Sequence, residues 1–258
     1  VQTHVKRNPS APPDFFACEA AGLQWLSDAG GAACVEVVAH DATSLTLRRL
    51  ETVAPSAGAA REFGAALART HDAGADGWGA PPRGWRGRGY FGPLSHPLPM
   101  TFADHDSWGR FYADERLTPM LDLARPTLDP VVIGAVEEVI GRCREGEFDD
   151  DDVPARLHGD LWSGNLMWTP GGVVLIDPAA HGGHRETDIA MLHLFGCPHL
   201  DAVMAGYEER RPLNPGWRQR IPLHQLYPLL AHVVLFGAGY AQQTHEAASR
   251  ALAYPGPR

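Results

Sequence analysis

Residues 157–178 read LHGDLWSGNLMWTPGGVVLIDP. Short apolar pieces at 156–157, 166–168 and 173–176 alternate with polar loops, and Thr169-Pro170-Gly171-Gly172 is a hairpin turn signal. Asp160 sits in the first loop, Asn165 follows five residues on, and Asp177 comes twelve residues later, beyond the hairpin. Taken singly, Asp160 is a turn residue, Asn165 a loop cap and Asp177 an acid at a strand end. Turn chemistry alone does not account for the three at this spacing around a hairpin.

The order Asp, four residues, Asn, then a second Asp after a hairpin matches the catalytic loop of eukaryotic-type kinases. Phosphoryl transfer spreads charge over the equatorial oxygens, so catalysis is mainly positioning and electrostatics. A carboxylate must orient the attacking hydroxyl and receive its proton, which suits Asp160. Magnesium is hard and wants oxygen ligands; Asn165 supplies a neutral carbonyl and Asp177 an anionic oxygen. A lysine must reach the nucleotide phosphates as a point charge, with a helix glutamate holding it. Of the 22 basic residues only Lys6 is a lysine. It lies on the first strand, with Glu19 on the helix that follows. Arginine is a broad fork and lysine a compact charge, so a lone lysine in an arginine-biased chain has a reason to persist.

Outward from these residues the chain divides in two. Residues 1–7 read as a strand, 15–28 as a helix with Phe16, Ala20, Leu23 and Leu26 at helical spacing, and 34–39 and 44–50 as strands. This small αβ block, residues 1–51, is the expected nucleotide-binding lobe. Residues 52–258 are the expected catalytic and acceptor-binding lobe, with a hinge near 49–55. Helices are expected at 56–71, 105–123, 129–144, 186–195, 199–210 and 221–242. Residues 73–100, rich in Gly and Pro, read as an ordered surface loop, although Arg83, Arg86 and Arg88 imitate an RNA-binding tract. The acidic run Glu145–Asp152 reads as a solvated turn without the donor spacing of a calcium loop. The expected fold class is therefore α+β: two lobes, the first small and the second mostly helical.

Composition bounds the rest. The chain has 258 residues, 44% hydrophobic, with 31 acidic residues against 22 basic ones and a net charge of -9. That length buries one large core or two small ones, and the apolar fraction excludes wholesale disorder. The acidity argues against nucleic acid as a partner, and no apolar run of eighteen residues points to a membrane span. Cys18, Cys34, Cys143 and Cys197 show no CxxC spacing, which fits reduced thiols and a cytoplasmic location. His181 and His184 form an HxxH pair without an evident third ligand.

LHGDLWSGN followed by LIDPAAHGGHRETDIAMLHLFG resembles the fructosamine-3-kinase (ketosamine kinase) family, distant relatives of the aminoglycoside phosphotransferases. EAAGL at 19–23, FYADERLTPMLDLA at 111–124 and LYPLLAHVVLFGAGY at 226–240 extend the similarity over nearly the whole chain. The resemblance implies a bilobal protein-kinase-like fold. It also implies ATP- and Mg2+-dependent phosphorylation of a ketosamine at its 3-hydroxyl, a deglycation repair of small-molecule ketosamines or glycated proteins. In that reading Asp160 is the base, Asn165 and Asp177 hold magnesium, and Lys6 pairs with Glu19 and the phosphates. Arg49, Leu50 and Glu51 border adenine at the hinge. Trp162 stacks on the sugar, His232 lines the acceptor pocket, and His158 and Asp188 brace the catalytic loop.

Pro178 replaces the Phe of the usual Asp-Phe-Gly, so the protein-kinase activation switch is not expected. Kinase folds place a Gly-rich hairpin before the lysine strand, and Val1 to Val5 leave no room for it. Either roughly thirty further residues precede this sequence, the size of a paired strand unit with its connections, or the site works without the loop. Two other readings stand beside the ketosamine kinase: a kinase of another small molecule such as an aminoglycoside, and a non-catalytic nucleotide-binding protein.

Overall fold

The computed structural model describes residues 2–256. The small lobe holds β1 (Thr3–Arg7), α1 (Phe15–Ser27), β2 (Ala33–Cys34), β3 (Val37–His40) and β4 (Ser44–Arg48). Strands β1, β4 and β3 form an antiparallel sheet in the order β1-β4-β3, with Lys6 opposite Leu45. The spacing of Phe16, Ala20 and Leu23 puts them on one face of α1, where they pack with Phe15 against Val35, Leu45 and Leu47. The expected strand at 34–39 is in fact two. Cys34 belongs to β2, which leaves the small sheet, and Val37 begins β3.

The large lobe begins with α2 (Ala57–Asp72), capped where the Ser56 hydroxyl accepts the Ala59 N–H. The segment expected as a loop contains a buried hairpin of β5 (Gly89–Phe91) and β6 (Leu98–Met100). Next come α3 (Trp108–Phe111), a π-helical turn (Tyr112–Leu117), α4 (Thr118–Ala124) and α5 (Pro130–Arg144). Strands β7 (Ala155–Leu157), β8 (Leu166–Thr169), β9 (Gly172–Leu175) and β10 (His181–Gly183) frame the quoted stretch. Then follow α6 (Glu186–Leu194), α7 (Leu200–Arg210), α8 (Trp217–Phe236) and α9 (Ala241–Leu252). The helix expected at 221–242 thus breaks at Gly237, whose φ of 87° an L side chain rarely adopts. The buried core of this lobe gathers Tyr112, Leu117, Val136, Leu226 and Leu230.

The lobes share a sheet. β2 runs parallel to β9, pairing Ala33 with Val174 and Cys34 with Leu175, and gives the order β2-β9-β8. The Val35 N–H continues the ladder to the Leu175 carbonyl at 2.9 Å. The hairpin that ends at Asp177 is therefore hydrogen-bonded to the segment that follows α1.

The acidic run is not a solvated turn throughout. The side chains of Asp150 and Asp152 are 7% and 5% exposed. Asp152 accepts from Arg185 Nε at 2.6 Å and from Arg211 at 3.2 Å. Asp150 accepts from Asn214 at 3.0 Å and lies 3.2 Å from His184 Nε2. Their partners come from the start of α6 and from residues after α7, tens of positions away, so local composition could not reveal the burial. Removing one partner of a buried ion pair strands the other charge. Asp152→Ala should cost roughly 3 kcal/mol in urea unfolding, and a loss under about 0.5 kcal/mol would mark the pair as surface-like.

Candidate active site

Strand β7 delivers the chain to His158-Gly159-Asp160. Gly159 takes a φ of 81°, and a Cβ there would collide with the Ala179 carbonyl, so only glycine fits this turn without strain. His158 is fully buried, and its Nε2 lies 2.9 Å from the Ile176 carbonyl. A carbonyl only accepts, so Nε2 carries the proton and Nδ1 accepts the Asp160 N–H at 3.2 Å. Asp188, in the first turn of α6, accepts the N–H groups of His158 and Gly159 at 2.8 and 2.9 Å. Its Oδ2 also takes a bond from His71 at 3.2 Å, and His71 Nδ1 meets the Tyr207 hydroxyl at 2.7 Å. Burial alone would raise the Asp188 carboxyl; the His71 bond, the nearby histidines and the Gly159 N–H overcome it and hold it below the ordinary value. Asp188 thus fixes the backbone on which Asp160 is mounted.

Asn165 Nδ2 donates to the Asp160 carbonyl at 2.8 Å and sits 3.3 Å from Asp160 Oδ2. With the amide nitrogen so used, Asn165 Oδ1 is the atom left to serve a cation. Asp177 adopts a left-handed φ of 55° at the end of the hairpin, a conformation found at functional sites in non-glycine residues. Its Oδ1 lies 3.1 Å from Lys6 Nζ. Lys6 Nζ also donates to both carboxylate oxygens of the buried Glu19, each at 2.7 Å. Burial would lower the Lys6 ammonium, but the Glu19 and Asp177 carboxylates outweigh it and raise its pKa. Asp160 is half-buried, and desolvation, with the charges of Asp177 and Asp188, pushes its carboxyl up to about 7 despite the Asn165 bond.

Two cavities meet here. The smaller, about 400 Å³, lies against the small sheet and is lined by His4, Val35, Leu47, Arg49, Leu50 and Met167 among others. The larger, about 540 Å³, holds Asp160, Asn165, Trp162 and His232. Lys6 and Asp177 line both. Of the residues expected at adenine, Arg49 and Leu50 border the smaller cavity, whereas Glu51 lies outside its lining. The Arg49 N–H is already bonded to the Gln2 carbonyl at 3.0 Å.

The Trp162 ring lies over Gly164, where any Cβ would collide with it. That explains the glycine after Trp162-Ser163. Sequence reasoning missed the other rings of the larger cavity, Phe15, Tyr90, Phe91, Phe195, Phe236 and Tyr240. They come from α1, strand β5, a loop and helix ends, separate segments with no shared local signal. His181 and His184 do not converge: His181 Nδ1 meets its own loop at the Ala179 carbonyl, 2.8 Å away, and His184 joins Asp150. A group of potential metal ligands, His184, Glu186 and His224, does lie close together, but Arg220 already donates to Glu186 at 2.8 Å.

The sequence model of fructosamine kinases matches residues 2–254. The chain belongs to the fructosamine kinase family. It is 34% identical to a protein of Synechocystis sp. named "probable ketoamine kinase", over 96% of this chain and 82% of that one. A crystal structure from Thermobifida fusca, provisionally named fructosamine-3-kinase, superposes with a TM-score of 0.89 at 44% identity, over 98% of this chain and 86% of that one. A gentamicin-bound aminoglycoside phosphotransferase shares the fold alone, with a TM-score of 0.59 at 12% identity, over 98% of this chain and 84% of that one. The expected α+β, bilobal, protein-kinase-like fold is the observed one, and family membership makes this fructosamine kinase homologue a phosphotransferase.

The partly desolvated Asp160 has a stability signature. Its folded pKa, about 7, stands above the ordinary 3.8, so at pH between those values the folded chain keeps a proton that the unfolded chain releases. Stability from this group is full below pH 4 and is lost as pH rises toward 7. Asp160→Asn should therefore raise the melting temperature of the metal-free protein at pH 8 and leave it unchanged near pH 4. An equal effect at both pH values would show that the carboxyl is not strained by burial.

Proposed function

We propose that this chain transfers the γ-phosphoryl group of ATP, with Mg2+, to the 3-hydroxyl of a ketosamine. The observation that carries this reading is that the Lys6–Asp177 pair forms the shared wall of two cavities, while Asp160 faces only the larger. The nucleotide then occupies the smaller cavity, between the small sheet and Met167, with Arg49 and Leu50 at its rim. The acceptor occupies the larger. In this division residues 1–51 form the nucleotide lobe and 52–258 the catalytic and acceptor lobe.

Each residue then has a task. Lys6, held by Glu19, places a point charge on the phosphates. Asn165 Oδ1 and the Asp177 carboxylate are the hard oxygen donors suited to a divalent cation. Mg2+, bound there, would neutralise charge on the phosphates and favour the ionised form of Asp160. Asp160 orients the acceptor hydroxyl and takes its proton as the oxygen bonds to phosphorus and the bond to ADP breaks. His232 donates its Nδ1 proton to the Pro228 carbonyl at 2.7 Å, which leaves Nε2 as an acceptor for an acceptor-sugar hydroxyl. Trp162, 39% exposed, offers a flat face to the sugar ring. Phosphate on the 3-oxygen turns it into a leaving group, so the adduct decomposes and frees the amine. Cellular ketosamines or glycated proteins are then the partners, and repair is the outcome.

ADP release with Mg-ATP should be stimulated by fructosyl-lysine or ribulosyl-lysine and not by kanamycin. Asp160→Asn should lower kcat at least a hundredfold; retention of a tenth of the rate would remove it as the base. Lys6→Arg should raise the KM for ATP about tenfold although the charge is kept, because the guanidinium does not fit the gap between Glu19 and Asp177. Normal kinetics in that variant would show that the lone lysine has no special task.

A further inference from the structure

The larger cavity has an end that phosphoryl transfer does not use. Among the described residues its lining carboxylates are Glu19, Asp160 and Asp177, and all three belong to the cluster around Lys6 and Asn165. The other end is walled by rings. His232 is their hub, with centroids 4.7 Å from Phe195, 5.3 Å from Phe236 and 5.0 Å from Tyr240. Phe236 and Tyr240 lie 6.1 Å apart, and Trp162 meets Phe195 edge-on at 6.3 Å. Three separate segments supply Phe195, Phe236 and Tyr240. The break at Gly237 turns the chain so that Tyr240 returns beside Phe236.

Two features point to a ligand here. Phe236 is 60% exposed and Trp162 39%, so large rings stand open at a cavity rather than in the core, which is the mark of a binding surface. Burial lowers the His232 pKa, which favours the neutral ring, and its Nδ1 proton is committed to the Pro228 carbonyl. The cluster therefore presents π faces with no competing cation. Such faces attract an ammonium group, most strongly when it is partly desolvated. An acceptor with several ammonium groups would need a carboxylate for each, and this end supplies none.

We infer that the rings of Phe195, His232, Phe236 and Tyr240, facing Trp162, seat the amine of the acceptor and select sugar adducts bearing one ammonium group beside an apolar substituent. This inference rests on the phosphoryl-transfer reading above, which places the sugar hydroxyl at Asp160. The cluster is then the specificity element that separates ketosamines from polycationic amino sugars.

The test is calorimetric, on the full chain with Mg-ADP. The probes are 1-deoxy-1-benzylamino-fructose, its uncharged ether analogue 1-O-benzyl-fructose, and kanamycin. The amine should bind about tenfold more tightly than the ether at pH 7, as expected for one cation–π contact of about 1.4 kcal/mol, and kanamycin more weakly than either. Phe236→Leu and Tyr240→Leu keep apolar area but remove the ring, and each should cut the preference for the amine at least threefold. In turnover they should raise the KM for the amine adduct without raising that for ATP. Phe236 is mostly exposed, so its variant keeps the folded core. Equal affinity for amine and ether, an unchanged preference in both variants, or tighter binding of kanamycin would overturn the inference. Binding needs no turnover, so the two readings fail separately. Ammonium preference without phosphorylation of any adduct would sink the kinase reading and leave the ring site standing. Phosphorylation without ammonium preference would do the reverse.

Discussion

The site hangs on one buried ammonium group. Lys6 sits between Glu19, from the helix of the small lobe, and Asp177, from the end of the large lobe's hairpin. A cation removed from water needs anionic partners, and here they come from opposite sides of the interlobe space. The pair fixes the gap through which the transferred group would pass. The parallel pairing of β2 with β9 holds the same two segments together through the backbone, so the charge contact does not have to position the lobes alone.

A second constraint lies beneath it. Asp188 spends its carboxylate on two backbone N–H groups and one histidine. A rigid loop follows, with Gly159 in a conformation closed to other residues and His158 locked in one tautomer. Asp160 is then mounted on a backbone that cannot relax toward water, and this is why its carboxyl remains poorly solvated. The same desolvation leaves a carboxyl whose proton is held near neutrality, up to about 7.

The two cavities differ in chemistry. Around the smaller are aliphatic side chains and the small sheet, suited to a flat base and its phosphates. The larger is lined by oxygen donors around Lys6 and, beyond them, by the ring cluster about His232. A sugar carrying an amine has the same polarity, hydroxyls at one end and a cation at the other. The scaffold is shared with an aminoglycoside phosphotransferase; the side chains that line the larger cavity are this chain's own.

Much of the candidate site was legible because its members are local. Asp160, Asn165 and Asp177 lie within eighteen positions around one hairpin, and a hairpin's register follows from its turn. Lys6 was legible for a compositional reason, being the sole lysine, and Glu19 because helical spacing was clear. Contacts between distant segments were not legible. The acidic run looked solvated since its arginine partners, Arg185 just before α6 and Arg211 just after α7, lie far along the chain. The helix through His232 looked continuous to 242 since Gly237 alone does not announce a break. Glu51 sits one step past the cavity rim, a matter of where β4 ends. By itself the sequence determined the α+β fold class, the family and its kinase character, because periodicity and motif spacing are properties of neighbouring residues. Only the tertiary structure decided which distant rings share a cavity and which acids are buried, because those depend on how separate elements pack against one another.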